Sequence, residues 1–432
     1  MNSRMDEFAI KTSEQGFINA WVPRSLIVDG EILRKVDVTQ EGLCPLRIGW
    51  VNGQVNSIKG IQTPSKMPSD LVLPRFVEPH CHIDKIFTWK PFPNLLGTYE
   101  HALSTNLEEY KAREIQDLSI RVEKALTMAL RNGIRSIRSH IDSFGAQANE
   151  NWDLLHQLKK KWKSLIHLQY VALVPLEFWG TIDGRSFASR VANQGDLLGG
   201  VITPPFEDQK CFKSLETIIK LANNLGCGID LHIDESQDYP AAGLKLLVKV
   251  LDRTQSSIPI TCSHSSSMGL LPRKQLEDLA KRLAFHKIKV IALPLTNSWL
   301  LGRKGRTTTV QRPLAPIYQL QEAGIVVAVG ADNVNDPWFP LGSLDPIQLM
   351  AFSMPIAHLS PWERLGLSPF ITSASNILDL EWNGTIENGS PASWVVFKST
   401  SWVEVLSTTP KRQVIINGVF LDEKFKSNQT EA

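Results

Sequence analysis

A histidine pair one residue apart, His80-Cys81-His82, ends a run of strand-forming residues, Leu71 to Val77. Side chains along a strand alternate faces with a period of two, so both imidazoles of the pair point the same way. Two neutral imidazoles on one side of a strand end can chelate one metal ion. Cys81, between them, is expected to turn away into the core. Alone, the pair also fits two hydrogen-bonded surface histidines. Three later segments can complete a site: His232-Ile233-Asp234-Glu235, Cys262-Ser263-His264 and Gly330-Ala331-Asp332. His80, His82, His232 and Asp332 together offer three nitrogens and one carboxylate, with room left for water. That is an open, catalytic kind of coordination rather than a closed structural one. One divalent ion, Fe2+ or Zn2+, suits such donors.

Glu235 follows His232 by three residues, where a carboxylate can reach an attacking water without ligating the ion and can carry its proton to a substrate nitrogen. Its plain alternative is a residue at a helix N-terminus, favoured there by the dipole. His264 is placed to orient the water and stabilise a developing oxyanion. His140 reads equally as a pocket residue or a satisfied core histidine. His101, His156, His167, His286 and His358 lie away from these positions and read as ordinary.

These residues need a frame that gathers strand ends. Eight strand-like runs occur: Leu71–His82, Ile134–Asp142, Leu165–Pro175, Leu198–Pro204, Gly228–Asp234, Ile258–His264, Lys289–Leu295 and Ile325–Asp332. Between them lie helically spaced stretches such as Leu118–Arg131, Leu215–Leu225, Ala241–Leu251, Arg273–Lys281 and Leu314–Ala323. Eight alternating βα units predict an α/β fold, a (β/α)8 TIM-type barrel, with its site at the C-terminal strand ends. No Gly-rich phosphate loop follows the first strand, which argues against an open doubly wound sheet. Around the barrel, Phe17–Val22, Ser25–Val28, Leu46–Val51 and Val55–Ile58 are broken by Asp29-Gly30 and Asn52-Gly53, which signals hairpins. Ala392–Lys398 and Gln413–Leu421, with Asn417-Gly418, have the same character. The expected organisation is a small β-sandwich domain from both chain ends, 1–70 and 386–432, beside a barrel at 71–385.

The 432 residues carry a net charge of +2 and 43% apolar content, which gives no sign of nucleic-acid or membrane partners. The run Lys159-Lys160-Lys161 reads as a solvated helix face. Five scattered cysteines make no disulfide framework and fit a reducing, cytoplasmic setting. Met1 to Gln15 has no apolar core of a secretory signal, and no apolar stretch is long enough to span a membrane. Lys426 to Ala432 is polar and expected to fray.

The chain resembles the amidohydrolase superfamily, in its cytosine deaminase branch with the triazine-hydrolysing relatives. The likeness is densest in Leu73–Lys85, His232–Glu235 and Gly330–Gly342. It implies a mononuclear iron or zinc site at His80, His82, His232 and Asp332, with Glu235 as acid/base and His264 orienting the water. Binuclear relatives place a bridging lysine on strand four, where this chain has Gly199-Gly200-Val201-Ile202. One ion is therefore expected. Two departures concern substrate. Leu176 stands where cytosine deaminases read the base with a glutamine, and Asn333 stands where a second aspartate is common. Losing the glutamine leaves a base edge unpaired, at about 1–3 kcal/mol per group. Glu177 suits a donor-bearing ligand, and Trp338 is expected near the pocket mouth. The resemblance implies a small N-heterocyclic substrate and, as relatives commonly do, assembly into a homo-oligomer. Hydrolytic deamination, with cytosine as the first substrate, is the leading expectation. Hydrolysis of an N-alkylamino-triazine or cyclic amidine is the alternative, and a silent nucleobase-binding relative the third.

Overall fold

The computed structural model describes residues 15–421 except 255, 306 and 409, so the readings for the N-terminal stretch to residue 14 and for Lys426 to Ala432 lie outside it. Its strands, in chain order, are β1 (Gln15–Pro23), β2 (Leu43–Val51), β3 (Gln54–Gly60), β4 (Leu71–Pro74) and β5 (Phe76–Cys81). Then come β6 (Ile134–Asp142), β7 (His167–Leu173), β8 (Leu197–Ile202), β9 (Ile229–Ile233) and β10 (Ile260–His264). The last are β11 (Lys289–Ala292), β12 (Val327–Val329), β13 (Trp394–Phe397), β14 (Arg412–Ile416) and β15 (Val419–Phe420).

Strands β5 to β12 form one eight-stranded parallel sheet in sequential order. It closes between its ends through a bridge from Cys81 to Asp332 and a bond from the Asp332 amide to the His80 carbonyl, 2.9 Å. This is the (β/α)8 barrel. Its strands are buried on both faces because helices cover the outside. The helix Ile115–Arg131 shows the logic: Leu118, Val122, Ala125, Leu126, Ala129 and Leu130 recur at helical spacing and are all buried. The helix Asp208–Leu225 stops at Gly226, whose φ of +66° suits a residue without a Cβ.

Both chain ends build a separate curled sheet in the order β15-β14-β13-β4-β1-β2-β3. The Asn52-Gly53 and Asn417-Gly418 pairs turn its hairpins with positive φ at both residues, as tight primed turns require. Asp29-Gly30 is not a hairpin turn. The Asp29 carboxylate instead accepts the Glu31 amide at 2.8 Å and caps a short helix, Gly30–Arg34.

The run expected as one strand from Leu71 divides at Arg75. Its first part pairs with β13 and β1 in the small sheet, and its second enters the barrel beside β6. Arg75 fixes the crossing by donating to the carbonyls of Ile134 and Leu165, at 2.6 and 3.0 Å. The helix expected over Leu314–Ala323 is only Ile317–Glu322, since Pro313 and Pro316 occupy its first turn. Within the lysine run, Lys159 is not a purely solvated residue. It is half-buried and donates to Asp196 at 2.6 Å. No helix among the described residues is long and apolar enough to cross a membrane.

Candidate active site

Closure of the barrel brings the sequence-predicted residues to one rim. His80 lies near the end of β5 with His82 just beyond it, His232 is in β9, His264 ends β10, and Asp332 follows β12. His264 and Asp332 have φ of +69° and +61°, a backbone region that costs a residue with a Cβ about 1–3 kcal/mol. The cost is incurred where the chain leaves the pleat. Cys81 faces away as expected, its thiol against the Arg138 carbonyl at 3.7 Å.

The Nε2 atoms of His80 and His82 lie 3.4 and 3.3 Å from Asp332 Oδ1. His82 Nε2 is also 3.3 Å from His232 Nε2. Ligand atoms of His80, His232, His264 and Asp332 all fall within 4.8 Å of one another. His264 therefore groups with three of the four expected ligands, while His82 joins through its contacts to Asp332 and His232. His80 Nε2, His264 Nε2 and both Asp332 oxygens are buried without a hydrogen-bond partner among the described residues. Each such atom costs about 1–3 kcal/mol if nothing binds it. Burial holds the His80 and His232 imidazoles below their ordinary pKa, hence neutral, which is the ligand form. Burial alone would raise the Asp332 carboxyl, but the neighbouring His80 and His82 rings hold it well below the usual range. A neutral-imidazole and carboxylate set with orphaned atoms fits a divalent cation.

Above this centre opens a cavity of about 530 Å³. Its lining includes His82, His232, Glu235, His264, Asp332 and Asn333, with Leu176, Glu177 and Trp338 around them. Glu235 belongs to no helix, so the helix-terminus alternative falls away. Asp234, its neighbour, instead accepts the Gly243 and Leu244 amides at 2.8 and 2.9 Å and starts the helix Ala242–Leu251. Burial first, then the Asp332 charge, raises the Glu235 pKa well above its ordinary value. Glu177 stands at the rim, paired with Lys210 at 3.1 Å, so its carboxylate already has a cation. Asn333 donates to Asp336 at 2.9 Å. Trp338 packs edge-on against Tyr99 at 5.0 Å.

His140 is corrected. It is fully buried, stacked on the His80 ring at 3.9 Å, and is not part of the cavity wall. Neither of its ring nitrogens has a hydrogen-bond partner among the described residues, and it packs directly on the His80 ring.

Residues 95–421 match the amidohydrolase family profile, over three quarters of the sequence. The chain belongs to the amidohydrolase family. It is a hydrolase acting on C–N bonds other than peptide bonds, from a metal-dependent family. The pterin deaminase of Rhizobium rhizogenes is 30% identical to it over 390 residues, covering 88% of each chain. The N-isopropylammelide isopropyl amidohydrolase of Pseudomonas sp. strain ADP is 27% identical, covering 81% of this chain and 85% of the relative. The crystal structure of 5-methylcytosine deaminase from Klebsiella pneumoniae superposes with a TM-score of 0.78 at 22% identity, covering 94% and 98% of the two chains.

In this amidohydrolase further polar side chains hold the candidate ligands in place. Ser263 Oγ donates to Asp230 Oδ1 at 2.7 Å and so accepts from His80 Nδ1 at 2.8 Å. Arg138 anchors Asp230 at 2.8 Å. That chain puts the His80 proton on Nδ1 and leaves Nε2 free to bind the ion. Lys85 and Asp142, bonded at 2.8 Å, line the cavity beside His82 with Asn106 and Tyr99. Asp142 ends a barrel strand, a signal the sequence did carry. Ser263 was readable only as a strand residue, because its partner Asp230 comes from the neighbouring strand.

Proposed function

We propose that this amidohydrolase deaminates an amino-substituted N-heterocycle, replacing the exocyclic C–NH2 of an amidine-like ring carbon by C=O with release of ammonia. The observation that carries this reading is the shared floor. Glu235, a buried carboxyl biased toward its protonated form, lies with His232, His264 and Asp332 at the bottom of one cavity. His80, His82, His232 and Asp332 would hold the ion. When bound, it supplies a water acidic enough to attack near pH 7. Glu235 starts protonated, as its burial favours; it gives that proton to the adjacent ring nitrogen, regains one from the hydroxyl added to the ring carbon, and passes it to the departing amine. His264 donates to the oxygen that gains charge. Glu235 alone thus serves proton transfer at both ends of the C–N exchange.

For the ring itself, the walls favour an amino-pteridine over cytosine. Leu176 is a buried apolar side chain against the cavity, so it cannot pair the amide edge of a small pyrimidine. Leu103, Leu107, Phe144 and Val201 extend an apolar wall, and the space falls within the range of pockets for larger ligands. The pterin deaminase relative agrees with this choice. The same wall supports a second reading, release of an alkylamine from an N-alkylamino-triazine. The test is product release by zinc(II)- or iron(II)-loaded enzyme from pterin, cytosine and N-isopropylammelide. Ammonia from pterin, with Glu235→Gln at least about 100-fold slower at unchanged metal content, is expected. Isopropylamine release alone replaces the first reading by the second. No product above the Glu235→Gln level from any of the three refutes both.

A further inference from the structure

His264 offers a ring nitrogen within 4.8 Å of ligand atoms of His80, His232 and Asp332, and its side chain can serve there in two incompatible ways. With the proton on Nδ1, Nε2 is a metal ligand. With the proton on Nε2, the ring is a hydrogen-bond donor and binds no ion through that atom. The residue that decides is Asn297. It is fully buried in the short helix Pro294–Leu300, which follows β11, and is outside the cavity wall. Its Nδ2 lies 3.0 Å from His264 Nδ1 and 3.5 Å from Glu235 Oε1. His264 Nδ1 and Glu235 Oε1 are themselves 3.5 Å apart, so one amide nitrogen faces the two proton-handling residues at once.

We infer that Asn297 is a positioning residue that donates to His264 Nδ1 and Glu235 Oε1, fixing His264 as the Nε2–H donor and excluding it from the metal ligands. The 3.0 Å contact to Nδ1 is the short one, and a ring nitrogen that accepts from an amide N–H carries no proton of its own; the 3.5 Å contact to Glu235 is the longer, secondary one. An oxygen at that position would call for the other tautomer, with the proton on Nδ1. His264 is almost wholly buried, so water does not compete for its ring nitrogens. Its Nε2 is buried with no partner among the described residues, free to donate to whatever oxygen occupies the centre. His80 shows the opposite arrangement. Its Nδ1 meets the lone pair of Ser263 Oγ, whose proton is committed to Asp230, so the free Nε2 is left to ligate. Two imidazoles 5.7 Å apart are thus held in opposite tautomers by opposite neighbours, one as ligand and one as donor.

The role of His264 in turnover rests on the proposed deamination, but the tautomer does not, and the experiment separates them. Zinc-loaded enzyme labelled with 15N in the histidine rings is compared with Asn297→Asp, which keeps the shape of the amide but cannot donate. His264→Gln assigns the resonance and tests metal content. The wild type is expected to show His264 protonated on Nε2, and Asn297→Asp to show it protonated on Nδ1. His264→Gln retains one zinc per chain. With the panel heterocycle that the wild type turns over fastest, Asn297→Asp loses about 100-fold in kcat with KM changed only a few-fold, as removal of an oxyanion donor does. A wild-type His264 protonated on Nδ1, or loss of zinc in His264→Gln, overturns the inference. So does an Asn297→Asp enzyme with unaltered tautomer. If no heterocycle is turned over, the proposed function fails while the tautomer result still decides the role of Asn297.

Discussion

Glu78 offers the sharpest perturbation of the seam on which the metal residues hang. β12 has only three residues, so closure against β5 depends on few backbone bonds. The Glu78 carboxylate adds two: its Oε1 accepts the amides of His80 and Ala331, each at 3.0 Å. One of these belongs to a metal residue and the other precedes Asp332. Glu78→Ala leaves both buried donors unpaired, a loss of roughly 1–3 kcal/mol for each. Glu78→Gln keeps an acceptor oxygen and should lose much less. The pH response separates the charge from the geometry. Burial first, opposed by those two amides, places the Glu78 pKa at about 8 against an ordinary 4.5. Between these values the native carboxyl holds a proton that the unfolded chain has released. Stability therefore falls as pH rises through this window, by a ceiling on the order of 5 kcal/mol at 1.36 kcal/mol per unit. Glu78→Gln has no such titration. Denaturant midpoints of chelator-treated wild type and Glu78→Gln, measured from pH 5 to 9, should converge or cross as pH rises. Parallel profiles refute the assignment of a buried titrating carboxyl, and a Glu78→Ala protein as stable as the wild type refutes the seam itself.

Two further outcomes follow from the packing and the donor set. A Cβ on Gly200 would stand 2.5 Å from Leu176 Cδ2, whereas one on Gly199 would meet the carbonyls of Ala172 and Asp230 at 2.9 and 3.0 Å. Gly200→Ala should therefore cost about 1–3 kcal/mol and recover in a Leu176→Ala background. Gly199→Ala should not recover there, and equal thermal midpoints for the two double mutants would disprove the difference. Zinc(II) at about a hundredfold over its Kd should stabilise the wild type by about 2.7 kcal/mol and leave Asp332→Ala unchanged. Calorimetry with and without chelator reads this directly, and an equal shift in Asp332→Ala would place the ion elsewhere.

The residues of the candidate metal site could be proposed from sequence because they obey local rules. His80 and His82 share a face by the two-residue period of a strand, and His232, His264 and Asp332 each terminate an apolar run. Those rules depend on neighbours in sequence, so the barrel and its small companion sheet could be read without coordinates, and a candidate ligand set proposed. The path of the chain at Arg75, the burial of His140 behind His80 and the pairing of Glu177 with Lys210 could not. Each depends on which strand or helix lies alongside, and local pattern does not encode that. The same holds for proton placement. His80 and His264 are the same residue type at equivalent strand ends, and sequence alone gives them no difference. Ser263 with Asp230 on one side, and Asn297 on the other, assign one imidazole to ligation and the other to donation. These partners come from adjacent strands and a following helix, brought within hydrogen-bond reach only when the barrel closes.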